Sequence, residues 1–156
     1  MASKFLRMAA LSLCAGGLAA APVLAENAAD VARTRHDSYR DIGAAFKNIN
    51  DQLKSGSPQL YVIQLSARQI RNYSQQQFSW FPAGSGPQPG LKTSAKAEIW
   101  TQPAQFKQAQ DAFAAQANAF YQAAASGDMT KIQAQARQLG QACASCHRTF
   151  REKDQS

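Results

Sequence analysis

Cys143-Ala144-Ser145-Cys146-His147 closes a stripe of residues made of Ile132, Ala136, Leu139, Cys143, Cys146 and Phe150, at steps of 4, 3, 4, 3 and 4. That spacing is the inward face of a bundle helix. Only nine residues follow His147, so the helix that carries the motif is the last one in the chain. Positions i, i+3 and i+4 put Cys143, Cys146 and His147 on one helical face. Two thiols one turn apart, followed at once by an imidazole, form C-x-x-C-H, which in an exported chain reads as a covalent haem attachment site. The thiols add to the two porphyrin vinyl groups, and the imidazole of His147 is delivered to the iron as its proximal ligand.

Three other readings of the motif stay open at this point. A Cys143–Cys146 disulfide suits an oxidising compartment, but it would be strained within a helix and would leave His147 without a role. A thioredoxin-like pair starts a helix after a strand, and no strand precedes this one. A zinc site joining both cysteines with His147 and His36 would need two adjacent residues of one helix as ligands.

Upstream of the motif the same periodicity returns. Ala32, Arg35, Tyr39, Ile42, Phe46, Ile49 and Leu53 repeat at steps of 3 and 4. Lys54-Ser55-Gly56-Ser57-Pro58 breaks that helix, with Ser57 as the expected N-cap of the next and Pro58 at its first position. A second helix carries Leu60, Ile63, Ala67 and Ile70 and runs towards Phe78, before Pro82, Gly84, Gly86, Pro87, Pro89 and Gly90 impose a long loop. A third starts near Thr101-Gln102-Pro103 and carries Phe106, Ala109, Phe113, Ala117, Phe120 and Ala124. Gly127-Asp128 ends it, and Asp128 or Thr130 caps the last helix. The expected fold is all-α: an antiparallel four-helix bundle with haem attached near the C-terminus. Composition agrees. Valine occurs only at Val23, Val31 and Val62, the chain is 45% hydrophobic and 17% charged, and three cysteines are too few for a disulfide scaffold of 156 residues.

The N-terminus carries the address. Lys4 and Arg7 precede an uncharged, small-residue apolar run from Met8 to Val23, and Val23-Leu24-Ala25 offers a cleavage pattern before Glu26. Residues 1–25 are expected to be a cleaved signal peptide, leaving 26–156 as one domain exported to the periplasm. Cys14 leaves with it, because Leu13 is too bulky for a lipid-attachment site. Loss of Lys4 and Arg7 leaves fifteen basic against ten acidic residues, a net +5. The basic residues are scattered, so the charge favours solubility and weak steering to acidic partners over nucleic-acid binding. No second run long enough to span a membrane exists in the sequence, and no membrane insertion is expected after cleavage.

The sixth iron position has few candidates. A downstream methionine is impossible, and Met129 falls at a helix–helix turn. His36 lies beside the first helix's stripe, which makes it a flanking residue near a haem edge before it makes it a ligand. Tyr39 is on the stripe and is expected to cap an open, five-coordinate iron, crowding the approach of small gases. Arg35, one turn earlier, needs an anion if buried, and haem propionates are suitable partners. Arg151, four residues after His147, is placed on the same face, near the proximal imidazole.

Taken together these residues resemble cytochrome c′, the class II c-type cytochromes. The likeness rests on Cys143–His147 followed by Phe150-Arg151, on Arg35-x-x-x-Tyr39 with Ile42-Gly43, on Phe81-Pro82-Ala83-Gly84-Ser85, and on Ile99-Trp100 followed by Phe106-Lys107. The resemblance implies one haem c in a periplasmic four-helix bundle that is often a homodimer. It implies that Arg35 meets a propionate, that the position of His36 is polar and near the haem, and that the segment around Ser94 approaches the propionates. Low-spin relatives carry a ligating methionine where this chain has Tyr39. Two functions follow: a gas-binding protein for NO or CO, or an electron carrier serving a redox protein. A low-spin electron-transfer cytochrome with an upstream sixth ligand is the alternative. No acid–base pair or nucleophile arrangement points to an enzyme.

Overall fold

A computed structural model describes residues 21–153, with side chains from residue 27. The expected signal segment, Cys14 included, lies outside the described residues apart from the backbone of 21–25, which opens the first helix.

Four long helices build the molecule: α1 (Ala21–Lys54), α2 (Leu60–Gln76), α4 (Pro103–Ser126) and α5 (Met129–Phe150). A single 3₁₀ turn, Gln77–Ser79, prolongs α2, and a short helix α3 (Glu98–Thr101) precedes α4. Helix α1 packs along α2, α2 along α4, and α4 along α5, whereas α1 and α5 touch at few points. The bundle is therefore well closed on three seams and sparse on the fourth.

The helix ends follow local chemistry. Gly127 ends α4 with a left-handed φ of 72°, a conformation glycine adopts without a side-chain penalty. Asp128 then caps α5, its carboxylate accepting from the Thr130 and Lys131 amides at 3.0 and 3.1 Å. Pro103 occupies the first turn of α4, where its missing N–H costs nothing. The start of α2 departs from expectation. The N-cap is Gln59, not Ser57, and Pro58 stays outside the helix. The reason is a donor satisfied from elsewhere: the Gln59 amide bonds Gln52 Oε1 in the last turn of α1 at 2.8 Å, so the connection extends two residues before turning helical.

The main core joins Ile42, Ile49, Ile63, Ala67, Ile70, Phe113, Ala117, Phe120, Ile132 and Leu139, as the stripes require. The α2 stripe ends otherwise than expected. Ser74, Gln77 and Trp80 are buried, while Phe78 is 42% exposed, because the 3₁₀ turn rotates the inward face onto Gln77. A second, smaller cluster of Ile99, Phe106 and Phe150 lies under the long loop.

Candidate haem site

Cys143 and Cys146 are half-buried free thiols one helical turn apart, and they face different surroundings. Cys143 packs against the main core, in company with Tyr39, Phe46 and Phe81. Cys146 packs against the smaller cluster, with Phe81 and Trp100. Phe81 belongs to both. It meets Phe106 edge to face at 4.7 Å and Tyr39 at 6.2 Å, and Phe106 meets Phe150 at 5.0 Å. An aromatic wall thus runs from α1 to the end of α5, with the two thiols along it.

Burial pushes both thiols up to about 11, so they stay protonated at neutral pH. A thioredoxin-like pair needs the opposite, a thiol with a lowered pKa. The zinc arrangement is not assembled either: no group of three or more His, Cys, Asp or Glu side chains stands together among the described residues. His36 explains part of that. Its side chain is 70% exposed, and Nδ1 lies 3.2 Å from Asp37 Oδ1 on the solvent side of α1. It is not drawn into the inward face with Arg35 and Tyr39, because it is one step off their stripe.

Tyr39 does face the thiols. Burial first, and then the neighbouring Cys146, drive its hydroxyl pKa well above the ordinary tyrosine value, while Arg35 opposes that shift. The ring stands edge-on to Trp80 at 5.1 Å, and the hydroxyl donates to Gln77 Oε1 at 3.1 Å.

Arg35 is 4% exposed. Its Nη1 donates to the Trp80 carbonyl and Ser85 Oγ, both at 3.2 Å, and its Nη2 to the Ser85 carbonyl and Thr93 Oγ1, both at 3.0 Å. The guanidinium also lies over Phe81 at 4.8 Å and Trp100 at 5.7 Å. None of these acceptors is a carboxylate. Burial accordingly lowers its pKa, although a guanidinium stays protonated in any case. Arg35 is thus a buried cation held by neutral oxygens of the loop over 80–93, as a site awaiting a propionate would present it.

The same loop is tied to α5. The Lys96 amide donates to the Phe150 carbonyl at 3.0 Å, the Glu152 amide to the Ser94 carbonyl at 2.8 Å, and Ala95 and Arg151 form an antiparallel bridge. Ser94 is exposed and spends its carbonyl on this junction. Arg151 has already left the helix, with φ −117° and ψ 135°, and its amide closes the last turn on the His147 carbonyl at 3.1 Å. The expected helical continuation from His147 to Arg151 therefore fails at Phe150, and the i, i+4 argument does not place the Arg151 side chain. His147 itself is on the exposed side of the last turn.

The donor set fits a covalently held porphyrin. Two protonated thiols at one-turn spacing, apolar and aromatic surfaces beside each, an adjacent imidazole and a buried unpaired-by-acid cation occupy one end of the bundle, at its sparse α1/α5 seam. The family model described as Cytochrome C′ matches residues 30–151. The chain belongs to the cytochrome c′ family. That family binds haem c. Cytochrome c-554 of Cereibacter sphaeroides is 31% identical over 144 residues, covering 88% of this chain and 92% of that protein. Cytochrome c′ of Rubrivivax gelatinosus is 40% identical over 70 residues, a match that spans only 54% of that relative's length. A nitric oxide complex of a mutant cytochrome c prime from Alcaligenes xylosoxidans superposes with a TM-score of 0.73 at 25% identity, over 81% of this chain and 97% of that one.

Of this cytochrome c′ site, sequence reasoning missed Gln77, Trp80, Thr93 and the role of Ser85. The signal for the first two was present. The α2 stripe continues from Ile63, Ala67 and Ile70 to Ser74, Gln77 and Trp80 at steps of 4 and 3. Thr93 gave no local sign, because its partner lies 58 residues away.

Proposed function

We propose that this cytochrome c′ family member is an exported, periplasmic haem c protein that binds small diatomic gases such as NO and CO, and that it is not an enzyme. The observation that carries the reading is the pairing of half-buried, protonated Cys143 and Cys146 with a bulky, partly buried aromatic residue, Tyr39, facing them. When bound, the haem supplies an iron able to take up a gas or exchange an electron. The chain's own residues do the rest. Cys143 and Cys146 would tether the group by thioether bonds, and His147 would offer its imidazole to the iron. Arg35 offers a propionate its buried positive charge. Tyr39, Trp80 and Phe81 exclude water and restrict access from the α1 side. The α1 stripe of Ala32, Arg35, Tyr39, Ile42, Phe46, Ile49 and Leu53 holds no methionine or histidine, which supports a five-coordinate iron.

Relatives support the gas reading through the nitric oxide complex of the Alcaligenes protein. Electron transfer is the second reading. It is favoured by the exposed basic residues at and just past the end of α5, Arg148, Arg151 and Lys153, which suit an acidic redox partner. Tyr61 at 73% and Leu65 at 53% exposure leave an apolar strip on α2 that suits a second copy of the chain. No helix among the described residues is long and apolar enough to cross a membrane.

The test is the visible spectrum of the purified protein, ferric and dithionite-reduced, before and after NO. A high-spin haem c spectrum that changes with NO is the expected result. A sharp low-spin α-band indifferent to NO would establish a sixth protein ligand and make electron transfer the function.

A further inference from the structure

Gln77 stands apart from the other two glutamines of its run. Gln75 and Gln76 are exposed, whereas Gln77 is 2% exposed and fully hydrogen-bonded. Its Nε2 donates to the Ser74 carbonyl at 3.0 Å and to the Gln110 carbonyl at 3.1 Å. Gln110 returns the bond, its Nε2 donating to the Gln77 carbonyl at 3.1 Å. Both amide protons of Gln77 are thereby committed to main-chain carbonyls. That fixes the amide orientation and leaves Oε1 as the only group that can face Tyr39. The 3.1 Å contact between them must then have the Tyr39 hydroxyl as donor.

Two consequences follow for Tyr39. Its single proton is spent on Gln77, so it is not available to a ligand in the site. Its ring, otherwise held by edge contacts with Trp80 and Phe81, is pinned through a residue anchored to both α2 and α4. We infer that Gln77 is a positioning residue that latches Tyr39, setting how readily a gas enters and withholding the tyrosine hydroxyl from it. This rests on the gas-binding reading above. The distal character that results is steric without hydrogen bonding, one of the properties by which a haem pocket chooses among ligands.

The test uses CO as probe on the ferrous, haem-loaded protein, in wild type, Tyr39→Phe, Gln77→Met and the double variant. Two quantities are read: the CO association rate and the infrared stretch of bound CO. Tyr39→Phe removes the hydroxyl and releases the ring, so CO should bind about five-fold faster, the size of one net hydrogen bond, with the stretch unchanged. Gln77→Met should accelerate binding similarly and shift the stretch, because the freed hydroxyl now reaches CO. The double variant should restore the wild-type stretch and gain no further rate, as expected of two residues acting through one bond. A stretch that moves in Tyr39→Phe alone would show the hydroxyl already on the ligand and overturn the latch. So would a wild-type association rate in Tyr39→Phe, a measurement that decides the matter even if Gln77→Met fails to fold. Failure of wild-type ferrous protein to take up CO at all is a different result. It would remove the open site itself, and the latch with it.

Discussion

Where α1 ends and α5 begins, the bundle is closed by Ile49, Ile63, Phe120 and Ile132, each fully buried within the hydrophobic core. At the opposite end the same four helices present Arg35, Tyr39, Gln77, Gln110, Cys143 and Cys146. There buried polar groups, Arg35, Gln77 and Gln110, stand among the apolar ones, and the thiols are only half covered. The first end is complete in itself. The second has a hydrogen-bonded frame, an aromatic wall and two half-covered thiols. One fold thus holds a region built for stability beside a region built around something else. The contrast also explains why the polar groups are tolerated. Gln77 and Gln110 satisfy each other, and Arg35 is met by four oxygens, so little hydrogen-bonding capacity is wasted.

The most damaging way to break the contrast is to remove both tethers. Cys143→Ala with Cys146→Ala should abolish covalent haem entirely, measured as loss of haem staining on a denaturing gel. Haem that still migrates with the doubly substituted chain would mean attachment elsewhere. Phe120→Ala attacks the other end. It should cost about 3–5 kcal/mol by opening a cavity among fully buried neighbours. The ferrous spectrum and its response to CO should nevertheless stay as in wild type wherever the protein is folded. A spectral change comparable to that of a Tyr39 variant would show that the two ends are not separable.

Arg35→Met tests the frame of the site end. Methionine fills much of the arginine stem but leaves the Ser85 and Trp80 carbonyls and Thr93 Oγ1 without their donor. The expected loss is about 2–3 kcal/mol, the cost of buried acceptors left unsatisfied. Since the bonds all run to the segment 80–93, limited proteolysis should cut there first, ahead of any helix. Equal protection of that segment in the variant would mean that its ties to Phe150 and Glu152 suffice.

The two ends also differed in how far they could be read from the residues alone. The closed end was legible because its code is periodic: Ile63, Ala67 and Ile70, or Ile132, Ala136 and Leu139, announce their face by spacing. The motif Cys143–His147 and the inward pair Arg35 and Tyr39 were legible for the same reason. What spacing could not supply was the identity of partners across the chain. Arg35 finds Ser85 and Thr93, residues 50 and 58 positions away on a loop with no period. Gln77 was hidden in a run of three glutamines, where composition says surface and only the continuation of the stripe says core. Arg151 erred in the other direction. Helical spacing was extended one residue past Phe150, where the chain turns to pair with Ala95.

The smallest expected effect sharpens the comparison from the closed end. Asp128 caps α5 there, and its bonds from the Lys131 amide, ahead of the other contributions, hold its carboxyl below the usual aspartate range. A carboxyl whose pKa is lower folded than unfolded stabilises the fold above the unfolded value. That contribution disappears as pH falls through the folded one. Stability should therefore decline in acid, below about pH 4, with a part of the slope that belongs to Asp128. Asparagine caps a helix as well as aspartate but does not titrate there. Asp128→Asn should leave the urea midpoint near neutrality almost unchanged and flatten its fall in acid. The visible spectrum of the folded protein should be indifferent throughout, because the cap lies at the far end of α5 from Cys143 and His147. A flattened acid slope accompanied by a spectral shift would mean that the start of α5 reports to its end, and that the two regions share one mechanical element rather than merely one helix.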